Sequence, residues 1–322
     1  MALVQTVRGP VDGAELGPTL VHEHVFVLTA DVQQNWPGEW GDEDARVDDA
    51  VAKLTALAQT GVRTIVDPTV VGLGRFIPRI ARIAERVPLQ IVVATGIYTY
   101  GDVPFFFRSR GRGLHPDLPE PMVDLFVQDL TEGIAGTGVR AAFLKCAVDE
   151  HGLTPDVERV LRAVAQAHHV TGAPVMVHTH PATRQGLAVR RVLDEEGVPA
   201  GVVMLAHSGD TQDADHLAQL AEAGFVLGMD RFGLETVASF EQRVDTVAEL
   251  CRRGYAASMG LSHDTACYVD WAEPAARDWL PRWHYLHIHQ DVLPALRERG
   301  VTQEQIDAML VDTPRRWLEA GR

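Results

Sequence analysis

Short apolar runs alternate with amphipathic stretches along the whole chain, and this alternation sets the expected fold. Runs at 16–21, 62–67, 89–94, 139–146, 173–178, 202–206, 225–229 and 256–261 have the length and β-branched content of buried strands. The intervening stretches at 47–60, 76–87, 122–135, 155–170, 183–196 and 240–253, together with one after 210, read as helices; in the first, Val51, Leu54, Leu57 and Ala58 recur at helical spacing. Turn residues support the division. Gly61 ends the first helix, Pro88 separates the second from the third strand, and Gly136 and Gly138 precede the fourth strand. Thr154 is positioned to cap the helix that Pro155 opens, because proline at the first turn gives up an N–H that has no helical partner there. Asp210 or Thr211 is expected to cap the helix after the sixth strand. Eight strands alternating with helices call for parallel pairing, and a (β/α)8 TIM barrel holds them in one domain over residues 1–322. An open doubly wound sheet is the fallback, disfavoured because no Gly-x-Gly-x-x-Gly turn follows an early strand.

Four segments fall outside the repeat. Residues 4–7 suit a small strand ahead of the barrel, and 26–46 form a long loop carrying Trp36 and Trp40. An irregular Pro- and Gly-rich segment at 99–120 contains Phe105-Phe106-Phe107, expected to pack into the core in preference to lining a pocket. After Thr265 comes a loop with Trp271, Trp279 and Trp283, then two short helices.

Composition narrows the function classes. An apolar content of 46% is ordinary for a globular protein with a large core. A formal charge of −15, from 29 Lys and Arg against 44 Asp and Glu, repels phosphate backbones and anionic lipid, so neither nucleic acid nor membrane is an expected partner. Cys146, Cys251 and Cys267 lack metal-type spacing and suit a reducing compartment. No segment resembles a signal peptide or an uncharged membrane helix of about 18 residues. A cytoplasmic protein is expected.

The chemistry sits where the strands end. The first run closes on His22-Glu23-His24; residues two apart on a strand project the same way, so both imidazoles can face one ion while Glu23 points elsewhere. Other runs end at Lys145, His178, His207 and Ser262-His263-Asp264, and the catalytic face of a barrel is the one that carries the C-terminal strand ends. Four histidines and an aspartate exceed the needs of one tetrahedral ion with an open position, so two metals are implied. Two ions roughly 3.5–4 Å apart can acidify a shared water and polarise a substrate oxygen, which is a hydrolytic arrangement. Lys145 fits less readily, since an ammonium repels cations, but the apolar run around it argues for burial, and burial lowers a lysine pKa.

Leu20-Val21-His22-Glu23-His24, Thr95-Gly96-Ile97-Tyr98, Leu144-Lys145-Cys146, Val177-His178-Thr179, His207-Ser208-Gly209-Asp210, Gly228-Met229-Asp230-Arg231-Phe232 and Ser262-His263-Asp264 together resemble the phosphotriesterase family of the amidohydrolase superfamily, and within it the phosphotriesterase-like lactonases, over essentially the whole chain. The resemblance implies a barrel with two divalent ions, Zn²⁺ foremost and Co²⁺, Mn²⁺ or Fe²⁺ as alternatives. It implies that Lys145 carries a CO₂-derived carbamate bridging them, that His22, His24 and Asp264 hold the buried ion, and that His178 and His207 hold the exposed one. It further implies that Asp264 shuttles a proton, that Tyr98 positions a lactone, that Arg231 shapes the pocket, and that the protein is a homodimer. The implied activity is hydrolysis of N-acyl homoserine lactones, as in quorum quenching, with weak phosphotriesterase activity. His180 shares a face with His178 and is expected beside the site without being a ligand. Histidines 168, 169, 284, 287 and 289 are read as structural or surface residues. A phosphotriesterase shares this ligand set. Another amidohydrolase, such as an opener of cyclic amides like dihydroorotate, is disfavoured because Phe26 stands where those enzymes place a carboxylate-binding arginine. A non-catalytic barrel is disfavoured by the full ligand set.

Overall fold

A computed structural model describes residues 2–272 and 276–321. Eight parallel strands pair in chain order: Thr19–Leu20, Thr64–Asp67, Gln90–Gly96, Phe143–Val148, Val175–Thr179, Val203–Ala206, Val226–Met229 and Met259–Leu261. The first and last meet where Val21 N–H donates to Leu261 O at 3.3 Å, so the sheet rolls up as a (β/α)8 barrel.

Strand alternation divides the apolar residues into two layers. Val66, Val92, Ala94, Phe143, Met176, Met204, Ala206 and Val226 fill the barrel interior, while Ile65, Ile91, Val93, Leu144, Val175, Val177 and Leu205 join the larger core under the helices. The interior is completed from below by the last helix, Thr313–Glu319. Its Trp317 is fully buried, packs its ring 5.4 Å from that of Phe143 and donates from Nε1 to Val202 O at 3.2 Å.

Helix starts follow local chemistry. Thr154 Oγ1 accepts from Val157 N–H at the head of Pro155–Thr171, as expected, and Ser239 forms a capping box with Gln242 ahead of Phe240–Arg252. The sixth cap differs from expectation. Asp213 caps Ala214–Glu222, because Asp210 lies in a 3-10 turn, Ser208–Asp210, with its carboxylate against Arg231 and Arg243.

Other departures lie outside the eight repeats. Leu3–Thr6 pairs with Gly9–Asp12 as an antiparallel hairpin below the barrel. The expected loop after the first strand begins instead with a strand, His24–Val27, which pairs in parallel with Ala266–Val269. Of the three consecutive phenylalanines only Phe107 is buried; Phe105 is 79% and Phe106 48% exposed, because the short helix Phe105–Arg108 turns them apart. The aromatic loop at 265–286 includes residues 273–275, which lie outside the described residues. Among the described residues no helix is long and apolar enough to cross a membrane.

Candidate active site

The C-terminal strand ends surround a cavity of about 330 Å³ lined by His22, His24, Lys145, His178, His207 and Asp264, with Tyr98, Arg231, Trp271 and Trp283 also on its walls. Strand parity delivers two of these directly, since Lys145 lies two residues beyond inward-facing Phe143 and His178 two beyond Met176. Parity alone would turn His207 outward, because it follows inward-facing Ala206, but its φ of +66° redirects it. Asp264 likewise has φ +54°. Left-handed backbone at non-glycine residues is uncommon and concentrates at functional sites. Glycine makes room elsewhere. A Cβ on Gly96, where φ is +141°, would lie 1.8 Å from Lys145 O, and one on Gly228 would lie 2.6 Å from Asp230 Oδ2.

Hydrogen bonds on the outer side of each imidazole decide which nitrogen faces the cavity. His22 Nδ1 donates to Asp230 Oδ2 at 2.8 Å, and His24 Nδ1 donates to Thr69 Oγ1 at 2.7 Å, whose own hydroxyl donates to Asp67 Oδ1. Both Nε2 lone pairs then point at Asp264 Oδ1, at 3.2 and 3.3 Å. His207 Nδ1 donates to Asp230 Oδ1 at 3.1 Å and His178 Nε2 to Asp149 Oδ2 at 2.8 Å. That leaves His207 Nε2 facing His178 Nδ1 at 2.9 Å with both protons committed outward. Three acceptors converge at one place and two at another, and a cation between them would relieve the repulsion. Such carboxylate-oriented imidazoles are what a divalent metal selects.

The titration of these groups agrees. Burial, followed by the positive charge of Arg231 at His207 and outweighing the Asp149 hydrogen bond at His178, lowers the two to about 3 and about 4, so both are neutral with a lone pair to offer. At His24 burial works in the same direction but is outweighed by Asp264 and Asp67, which raise it to about 9; a proton there stands in for a cation. Lys145 is 1% exposed, its Nζ has no hydrogen-bond partner, and burial lowers it to about 8 against the pull of Asp264 and Asp230. Arg231 joins Asp264 Oδ2 to Asp210 Oδ2, 2.9 Å from each. Tyr98 donates to Asp149 Oδ2 at 3.1 Å, and burial pushes its hydroxyl well above the usual phenol range. His180 is half-buried at the cavity edge, with Nδ1 on Thr183 Oγ1 at 3.0 Å.

The profile of the phosphotriesterase family matches residues 2–318. The chain belongs to the phosphotriesterase family. A relative described as a phosphotriesterase homology protein, from Mycobacterium tuberculosis, is 56% identical over 99% of this chain and 98% of its own length. An aryldialkylphosphatase from Saccharolobus solfataricus is 37% identical over 97% of this chain and 98% of its own. The solved structure of the phosphotriesterase from M. tuberculosis superposes with a TM-score of 0.97 at 55% identity, covering 99% of this chain and all of that one.

Three residues of this phosphotriesterase-family site went unassigned on sequence grounds: Asp67, Asp149 and Asp230, which orient His24, His178 and the His22–His207 pair respectively. Asp67 closes a strand while Asp149 and Asp230 each follow one directly, so an acid at a strand end is the signal that marks them.

Proposed function

We propose that this phosphotriesterase-family hydrolase is a lactonase with two divalent ions per chain, opening N-acyl homoserine lactones and related lactones and acting weakly on phosphotriesters. The observation that carries the reading is the pair of converging lone-pair sets with a buried, unpartnered lysine amine among them. His22, His24 and Asp264 would hold one ion and His178 and His207 the other. Lys145, depressed enough to react as a free amine, would take up CO₂ as a carbamate shared by both. Neutral imidazole and carboxylate suit Zn²⁺, with Co²⁺, Mn²⁺ or Fe²⁺ also accommodated. When bound, the ions supply an acidified water and polarise a substrate oxygen.

The chain's own residues do the rest. Asp264 takes a proton from the attacking water and delivers it to the leaving alkoxide. Arg231 donates to the other carboxylate oxygen of Asp264, and His22, His207 and His24, outweighing the effect of burial, hold the group ionised. Tyr98 is fixed by Asp149 where it can crowd a tetrahedral phosphorus centre more than a flat lactone. Val27, Leu73, Val269, Trp271 and Trp283 give one side of the cavity the apolar character an acyl chain needs. The likeness to an aryldialkylphosphatase supports the second reading, in which a phosphotriester is the main substrate. One barrel domain over residues 1–322, acting in the cytoplasm as a homodimer, completes the proposal. Exposed Phe105 and Trp279 are aromatics a second copy would cover.

The deciding experiment is elemental analysis combined with parallel lactone and triester assays on wild type and Lys145→Ala. Two ions per chain, faster lactone turnover, and recovery of the variant by short carboxylic acids are expected. One ion, or a triester turned over faster than any lactone, would refute the reading.

A further inference from the structure

Glu23 lies between the two histidines at the first strand end, and its side chain points away from the cavity. It is fully buried, yet its carboxylate accepts four hydrogen bonds, all from the turn that follows the eighth strand. Ser262 Oγ–H at 2.8 Å, His263 N–H at 2.9 Å and His263 Nδ1–H at 2.6 Å reach Oε1, and Thr265 N–H at 3.3 Å reaches Oε2. The turn is tied from other sides as well. Ser262 Oγ accepts from His22 N–H at 2.9 Å, and Asp264 N–H donates to His22 O at 3.0 Å. Ile288 N–H donates to His263 Nε2 at 2.9 Å, which places the ring proton on Nδ1, facing Glu23. Trp283, on the cavity wall, donates from Nε1 to His263 O at 3.1 Å.

Asp264 is the residue of this turn whose carboxylate enters the cavity, and its φ is +54°. A non-glycine residue keeps a left-handed backbone only when its surroundings over-determine it. Here the N–H groups of His263 and Thr265, on either side of Asp264, both end on the Glu23 carboxylate. We propose that Glu23 is the positioning residue for Asp264: it fixes the left-handed turn and so sets Asp264 Oδ1 at 3.2 and 3.3 Å from the Nε2 atoms of His22 and His24. The histidines and their partner carboxylate are thereby placed by one strand end, through alternate residues that face opposite ways. The consequence for metal binding rests on the two-ion reading above.

Glu23→Gln keeps the size of the side chain but presents an NH₂ that cannot accept from one of its donors. Crystal structures of the two proteins, read at Asp264, and Zn²⁺ titration against a chromogenic chelator test the role. The expected result is loss of the left-handed conformation at Asp264 and an affinity at the His22 side weaker by about 10- to 100-fold, the range typical of partners that orient metal ligands. In an Asp264→Asn background the same change should weaken binding less than about twofold, because Glu23 acts through Asp264. An unchanged turn in Glu23→Gln, or an equal loss in both backgrounds, would overturn the proposal. Should Glu23→Gln fail to fold, Ser262→Ala removes one of the four donors and is read in the same way. A wild type that takes up no Zn²⁺ would refute the two-ion reading, while the turn geometry would still decide the role of Glu23.

Discussion

Asp230→Asn is the sharpest perturbation of the proposed centre, because Asp230 touches no substrate and serves two histidines at once. It is fully buried, with Oδ2 accepting from His22 Nδ1 at 2.8 Å and Oδ1 accepting from His207 N–H at 2.7 Å and His207 Nδ1 at 3.1 Å. Asparagine offers one oxygen. Placing it at the Oδ1 position satisfies two donors and sets its NH₂ against His22; the flipped amide satisfies one donor and opposes two. The first arrangement wins, so His22 loses its partner and can move its proton to Nε2, where it blocks ligation. Loss of such an orienting group weakens metal binding by about 10- to 100-fold, or about 1.4–2.8 kcal/mol. The ion held by His22, His24 and Asp264 should therefore leave first. In the metal-free protein the shifted tautomer lets His22 Nδ1 accept from the asparagine NH₂ and its Nε2–H donate to Asp264 Oδ1, so stability should change far less than metal affinity. Chelator titration of each ion, with thermal melting of the metal-free form, measures both effects. Retention of both ions at wild-type affinity would show that Asp230 does not set the histidine tautomers.

Asp264→Asn should lower kcat on lactones by about 10²-fold or more, and an effect confined to KM would remove the proton-transfer role. Tyr98→Phe should clearly reduce kcat/KM for acyl homoserine lactones while a paraoxon-like triester is hydrolysed as fast or faster; equal damage to both would favour the phosphotriesterase reading. Trp271 is 66% exposed on the cavity wall, so Trp271→Ala should alter the acyl-chain-length profile without changing Tm, and an unchanged profile would make the residue irrelevant to the pocket. Burial, with His263 and Arg297 nearby, depresses His289 from 6.5 to about 4. A depressed histidine contributes stability that is present above pH 6.5 and lost as the pH falls toward 4, so urea unfolding of His289→Gln should show a flatter pH dependence across that window.

Strand positions were legible because each barrel strand is apolar on both faces, and a continuous apolar run bounded by turn residues has few alternatives. Their ends were less so. The expected strand at 256–261 opens as a 3-10 turn, Ala256–Ser258, and only Met259–Leu261 pairs, since pairing depends on a neighbour that the local sequence does not name. The residues facing the cavity could be chosen from residue type and strand-end position. Their orienting partners could not, because Asp230 meets His22 across 208 positions and Asp149 meets His178 only once a whole helix has brought the next strand alongside. His207 and Asp264 show a further limit: a left-handed φ redirects a side chain, and although Asp and His adopt it more readily than most residues, it is too uncommon outside glycine for residue type to announce it. The two C-terminal helical segments, 288–298 and 303–319, also contain π turns, Ile288–Val292 and Ala308–Asp312, each followed closely by a proline, Pro294 and Pro314, that removes a donor from the ladder.

Trp317 has a bearing on the order in which the molecule can be completed. It fills the floor of the barrel, reaching Phe143 and the backbone of Val202 from near the end of the chain. Strand pairing can proceed from neighbour to neighbour as the polypeptide leaves the ribosome, but the interior remains unsealed until the helix Thr313–Glu319 emerges. A nascent chain paused short of it carries a barrel whose lower mouth is open to water, which is the species a chaperone or protease would meet. Because this plug sits opposite the catalytic mouth, a lesion in the helix Thr313–Glu319 strikes the fold itself while leaving untouched every residue that lines the cavity.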